Sequence, residues 1–165
     1  MADQSEPLDA QRILAALAGR GVEYVVIGGL AVQTHGHMRT TVDIHIMPAP
    51  ERANLTLLAE ALRELGARVL NPGAQEVEIE ASMLPRATLW QFATRHGALD
   101  VVLEAPGAPH YRELRERALE VALDELTIPV VSLDDLIAMK RASGRPVDLD
   151  DLAALTEPPP EPAPG

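Results

Sequence analysis

VEYVVIGGLAVQTHGHMRTTVDIHIM, residues 22–47, holds two apolar segments separated by a glycine pair and a short polar stretch. Val22 to Ile27 is a compact run rich in β-branched residues, which predicts a buried strand. Gly28-Gly29 breaks it, and Leu30 to Gln33 begins a short helix. Thr40 to Met47 alternates in polarity and predicts a second strand, closed by Pro48 and Pro50. Alternation assigns Val42, Ile44 and Ile46 to the core and projects Asp43 and His45 together on the opposite face.

Outward from this unit, Asp9 is placed to cap a helix that buries Ile13, Leu14 and Leu17 and stops at Gly19 to Gly21. Glu51 to Leu65 has helical spacing, with Gly66 as its stop. Val69-Leu70 predicts a short strand, Asn71-Pro72-Gly73 a turn, and Glu76 to Met83 an edge strand. Thr88 to Arg95 and Ala98 to Glu104 read as a hairpin joined at His96-Gly97. Tyr111 to Leu119 follows as a helix with a solvated Arg/Glu face, then Leu126 to Val131 as a strand. Ser132 with Asp135 forms a capping box for a helix over Leu133 to Ala142, and Asp148 with Asp151 repeats the spacing for a last helix ending near Leu155.

The expected class is mixed α/β (α+β): a mixed β-sheet flanked by helices, with two further helices at the C-terminal end. Residues 1–155 are expected to form one domain. The Pro-rich acidic tail, residues 156–165, is expected to be disordered or extended.

Composition narrows the chemistry. Hydrophobic residues make up 47% of the chain and aromatic residues only 2%, so the core is aliphatic. The absence of cysteine excludes disulfides, thiolate metal sites and cysteine nucleophiles. The formal net charge of −11 disfavours non-specific DNA binding. No apolar run is long enough for a membrane span, and the N-terminus lacks the order of a signal peptide, which gives a cytoplasmic expectation.

A glycine pair leaving a strand, followed by a carboxylate on the next strand, suits phosphate chemistry. Glycine lets the backbone turn tightly and bring its N–H groups near phosphate oxygens, and the helix that follows adds a favourable dipole. A facing carboxylate can hold the Mg²⁺ that bridges those phosphates. His35 and His37 flank Gly36 and invite a zinc reading, but no second ligand pair accompanies them, and a structural role is the simpler one. Trp90 lacks the neighbouring aromatics of a base-stacking platform and reads as packing.

Gly28-Gly29, a spacer of thirteen residues and Asp43-Ile-His45-Ile resemble the signature of the DNA polymerase β-type nucleotidyltransferase superfamily. The wider pattern, Gly28-Gly29-Leu-Ala31, His35-Gly36, Arg39-Thr40 and Asp43, is similar to the minimal nucleotidyltransferases of toxin–antitoxin and abortive-infection systems, the AbiEii-like group. Ala98-Leu-Asp100-Val-Val102, Ser132 through Lys140, Gly144-Arg145-Pro146 and Asp148 to Leu152 extend the resemblance to about Leu155.

The resemblance implies a nucleotidyltransferase fold and transfer of a nucleoside monophosphate from an NTP to a protein or RNA hydroxyl. It implies Asp43 and Asp100 as metal ligands, with Asp100 also a candidate to activate the attacking hydroxyl. Gly28 and Gly29 would contact the triphosphate, and Lys140, the only lysine, would lie near the nucleotide. Arg39, Arg145 and Asp148 are further candidates. The implied partners are an NTP, a cognate toxin or antitoxin protein, or tRNA as acceptor. The group expects Asp or Glu at position 45, where this chain has His. Imidazole is a poorer ligand for Mg²⁺ than for Mn²⁺ or Zn²⁺. A weakened site, a changed metal preference and an introduced substitution are all compatible with that residue.

Overall fold

A computed structural model describes residues 6–156 of the chain. The N-terminal helix α1 (Ala10–Gly19) leads into strand β1 (Tyr24–Ile27), helix α2 (Gly28–Thr34) and strand β2 (Asp43–Pro48). Helix α3 (Arg52–Glu64), the two-residue strand β3 (Arg68–Val69) and the hairpin β4 (Leu89–Thr94) and β5 (Gly97–Val102) follow. Helix α4 (Tyr111–Arg117), a second hairpin of β6 (Leu119–Leu123) and β7 (Leu126–Val130), and helices α5 (Leu133–Ser143) and α6 (Pro146–Thr156) complete the order.

The seven strands form one mixed sheet in the order β3-β4-β5-β2-β1-β7-β6. All four residues of β1 are buried, as a strand covered on both faces requires, and the sheet places it centrally. It pairs antiparallel with β2 and parallel with β7. Strand β2 pairs parallel with β5, setting His45 opposite both Ile27 and Asp100. That rung fixes the site, because directly opposed residues project on one face.

On the other face Ile44, Ile46, Leu99 and Val101 are fully buried. They share one core with Ile13, Leu14 and Leu17 of α1 and Leu55, Leu58 and Leu62 of α3. The buried stripe expected for α1 is therefore the one that packs. Asp9 caps α1 by accepting from Arg12 N–H, and Ser132 caps α5 by accepting from Asp135 N–H. Gly66 takes a φ of 66° just past α3, a backbone that favours glycine.

Three expectations are corrected. Residues 76–83 form no strand: Val77 N–H donates to Ala74 O and Met83 N–H to Glu80 O, making successive tight turns. The neighbouring edge, β3, is two residues long and is followed by Asn71-Pro72, so it gives an added strand little to pair with. The helix expected to reach Leu119 ends at Arg117, and Leu119–Leu123 is a strand paired with β7. Strand β2 begins at Asp43, and Val42 lies outside it with its side chain exposed rather than in the core. Residues 40–42 are drawn away from the sheet by Gln33, whose side-chain amide donates to Arg39 O and Thr41 Oγ1. The tail expectation concerns residues that lie, apart from Thr156 at the end of α6, outside those described.

Candidate active site

The site is built where β1 ends, β2 begins and β5 runs alongside. Gly28 follows the last residue of β1 and has a φ of 73°. A Cβ there would lie 3.0 Å from both Cβ and Cγ of His45. Two constraints therefore act on this position: left-handed backbone and contact with the neighbouring side chain. At Gly29 an added Cβ would meet Thr41 Oγ1 at 2.6 Å and Arg39 Nη2 at 3.3 Å. The Arg39 guanidinium thus lies against the turn.

Asp43, His45 and Asp100 converge beside it. His45 Nε2 is 3.2 Å from Asp43 Oδ1 and 3.1 Å from Asp100 Oδ2. Asp100 is buried, whereas Asp43 and His45 are partly exposed. Burial works against protonation of the imidazole, but its hydrogen bonds to Asp100 and Asp43 prevail and push its pKa up to about 9. The hydrogen bond from His45 lowers the Asp43 carboxyl against the opposing effect of burial, and the charges of Arg39 and Arg145 lower it further. At neutral pH the imidazolium lies between the two carboxylates, where a cation would be held.

The donor chemistry fits one divalent ion. One atom each from Asp43, His45 and Asp100 lie within 4.8 Å of one another. Two carboxylate oxygens and one imidazole nitrogen suit Mn²⁺ at least as well as Mg²⁺, and binding must displace the His45 proton.

A chamber of about 320 Å³ adjoins Gly28 and His45, between the strand ends and α5. Ile27, Leu89 and Val102 line it from the sheet, and Leu136 and Met139 from α5. Lys140, Arg145 and Asp148 provide much of its polar side.

Lys140 is buried, with Nζ 3.0 Å from Asp148 Oδ1 and 3.0 Å from Asp151 Oδ2. Arg145 grips Asp148 through Nε at 2.8 Å and Nη2 at 3.2 Å. Arg39 Nη1 donates to Asp151 Oδ2 at 2.5 Å. Burial opposes the charged form of Asp148, but hydrogen bonds from Arg145, Ser143 and Lys140 hold its carboxyl well below the usual aspartate range.

The fold therefore brings Gly28, Gly29, Arg39, Asp43, His45, Asp100, Lys140, Arg145 and Asp148 to one region. Asp151, read from the sequence only as a helix cap, is the residue missed. The signal available was its spacing one helical turn from Asp148. His35 lies outside the acid cluster: its Nε2 is 2.8 Å from Val131 O, a structural link between α2 and the end of β7. Trp90 is buried and donates from Nε1 to Leu84 O at 2.9 Å.

Gly28→Ala is expected to destabilise the chain by about 2 kcal/mol, a fall of about 6 °C in melting temperature, through left-handed strain and the clash with His45. Thermal unfolding of the two proteins checks this. A variant as stable as the parent would show that the turn does not need glycine.

Known structures share this architecture. The lincosamide antibiotic adenylyltransferase LnuA, solved with lincomycin bound, superposes with a TM-score of 0.61 at 15% identity, covering 92% of this chain and 99% of that one. The antibiotic-resistance factor ANT(2'')-Ia gives 0.58 at 19% identity, covering 88% and 79%. An antigenic nucleotidyltransferase-like protein from Paracoccidioides brasiliensis gives 0.54 at 13% identity, covering 91% and 78%. At these identities the likeness establishes the fold. No curated protein matches the sequence. Among the described residues, no helix is long and apolar enough to cross a membrane. A family model matches residues 9–156, and the chain belongs to that family: Nucleotidyltransferase of unknown function (DUF6036).

Proposed function

We propose that this chain transfers a nucleoside monophosphate from an NTP to a hydroxyl, releasing pyrophosphate. The observation that carries the reading is the convergence of Asp43, His45 and Asp100 beside the Gly28-Gly29 turn. Asp43, Asp100 and His45 would hold a divalent ion, Mg²⁺ or Mn²⁺, which when bound would neutralise phosphate charge.

The chain's own groups account for the rest. The positive φ of Gly28 turns the chain out of β1, so that backbone N–H groups of the turn would meet the phosphates. Arg39 and Arg145 offer planar donors to phosphate oxygens. Asp100 accepts the proton of the attacking hydroxyl as its oxygen bonds the α-phosphorus. The bond from that phosphorus to the bridging oxygen breaks in line, and the electron pair leaves with pyrophosphate. The chamber along α5 has room for a substrate portion of nucleoside size.

The resemblance to AbiEii-like proteins supports a role in a toxin–antitoxin or phage-defence pair, with a protein or tRNA hydroxyl as acceptor. One observation favours a second reading. An imidazolium bridging both carboxylates occupies the place of the metal, which suits a nucleotide-binding or partner-binding module with little catalysis.

Incubation with α-labelled NTP and Mn²⁺, in cell extract supplemented with tRNA, separates these readings. Transfer is expected to label protein, RNA or a small molecule, and the labelled fraction identifies the acceptor. Nucleotide binding without any labelled product would favour the second reading. Absence of both would remove the nucleotide from the account.

A further inference from the structure

Two arginines reach the Gly28-Gly29 region, and each is held by a buried carboxylate of α6. Asp148 and Asp151 are 1% and 2% exposed, one helical turn apart, with Lys140 Nζ between them. Lys140 gives both acids a buried counter-charge. Asp151 nevertheless also binds Arg39, which comes from the α2–β2 loop, 112 residues away in sequence. The Arg39 side chain is still 26% exposed and its Nη2 lies against the Gly29 backbone. Its main-chain carbonyl is fixed separately by Gln33. Arg39, Arg145 and Lys140 thus share Asp148 and Asp151, and the charges of Arg39 and Arg145 are also felt at Asp43.

A guanidinium that is anchored through one edge keeps further N–H donors for a phosphate, and anchoring lowers the ordering cost of binding. We propose that Asp151 is a positioning residue: it holds Arg39 against Gly29 as a preset ligand for the outer phosphates of a nucleoside triphosphate. The inference rests on the nucleotidyltransferase reading and adds a residue to it. Lys140 then acts behind the arginines, fixing the position of the acid that holds Arg39.

Calorimetric titration with ATP and with AMP, in Mn²⁺, tests the role. Asp151→Asn is expected to weaken ATP binding about tenfold while AMP affinity stays within about twofold, because only the outer phosphates meet Arg39. Arg39→Gln should give the same loss, and the double variant should be no weaker than Arg39→Gln alone. Asp151→Glu keeps the charge for Lys140 but moves the guanidinium off Gly29, so it carries the same test if the Asn variant does not fold.

Unchanged ATP affinity in a folded position-151 variant, equal losses for ATP and AMP, or additive losses in the double variant would overturn the assignment. A parent chain that binds ATP alongside an unaffected Asp151 variant overturns this inference alone. A parent that binds neither nucleotide overturns the nucleotidyltransferase reading and this inference together.

Discussion

His45→Asp is expected to raise Mg²⁺-dependent nucleotide transfer by about tenfold or more, through the recovery of a third carboxylate ligand. In the parent, Nε2 of His45 lies 3.2 Å from Asp43 and 3.1 Å from Asp100, so the imidazolium satisfies the charges that would otherwise attract the metal. A divalent ion must displace a proton held with a pKa of about 9 before it can use all three donors. Aspartate at this position removes the competing proton and offers oxygen, the donor that a hard ion prefers. The same change places three carboxylates within a few ångströms of one another. Without metal they repel, and the variant should melt lower than the parent in EDTA and recover on addition of Mg²⁺. Transfer assays with Mg²⁺ and melting curves with and without chelator measure both halves. A variant that is no more active and whose stability ignores Mg²⁺ would show that residue 45 does not govern metal binding.

The second large effect is on stability. Lys140→Ala leaves Asp148 and Asp151 buried without the cation that lies between them. Removing one partner from a buried ion network typically costs about 3–5 kcal/mol, so a fall of about 10 °C in melting temperature is expected. A fall of less than about 2 °C would show that the buried ammonium contributes no more than an exposed ion pair does. The network also predicts an acid dependence. Because the Asp148 carboxyl is held below its ordinary value, its contribution is fully present above the unfolded aspartate pKa of about 3.9. That contribution is lost as pH falls through the lower folded value. The parent should therefore lose stability more steeply than Asp148→Asn below pH of about 4, as followed by denaturant unfolding across that range.

The sequence made the Gly28-Gly29 turn and the shared face of Asp43 and His45 legible because both follow from local rules: glycine after an apolar strand, and alternation along the next. Asp100 was named through the resemblance to nucleotidyltransferases, with which the alternation of Leu99 and Val101 around it agrees. What local rules do not contain is register. Nothing in either strand states that β2 pairs parallel with β5 so that His45 meets Asp100, which the rest of the sheet determines. The Arg39–Asp151 contact was hidden for the same reason, since it joins a loop to a helix across most of the chain. Lys140 carried a motif match, but the match did not reveal that its ammonium is buried between two acids. Strand β6 was missed for a different cause. The helical charge pattern of Tyr111 to Arg117 was extended two residues too far, although Leu119, Val121 and Leu123 already alternate before Asp124-Glu125.

The proposed metal-and-nucleotide site at Asp43, His45 and Asp100 is tested most directly by titrating Mn²⁺ and ATP into the parent chain and into Asp43→Asn by calorimetry. The parent is expected to bind ATP more tightly when Mn²⁺ is present, and Asp43→Asn to lose this metal dependence while keeping its fold. If neither the parent nor His45→Asp binds ATP at about millimolar concentration, a typical upper range for enzyme substrates, with or without metal, the account is contradicted.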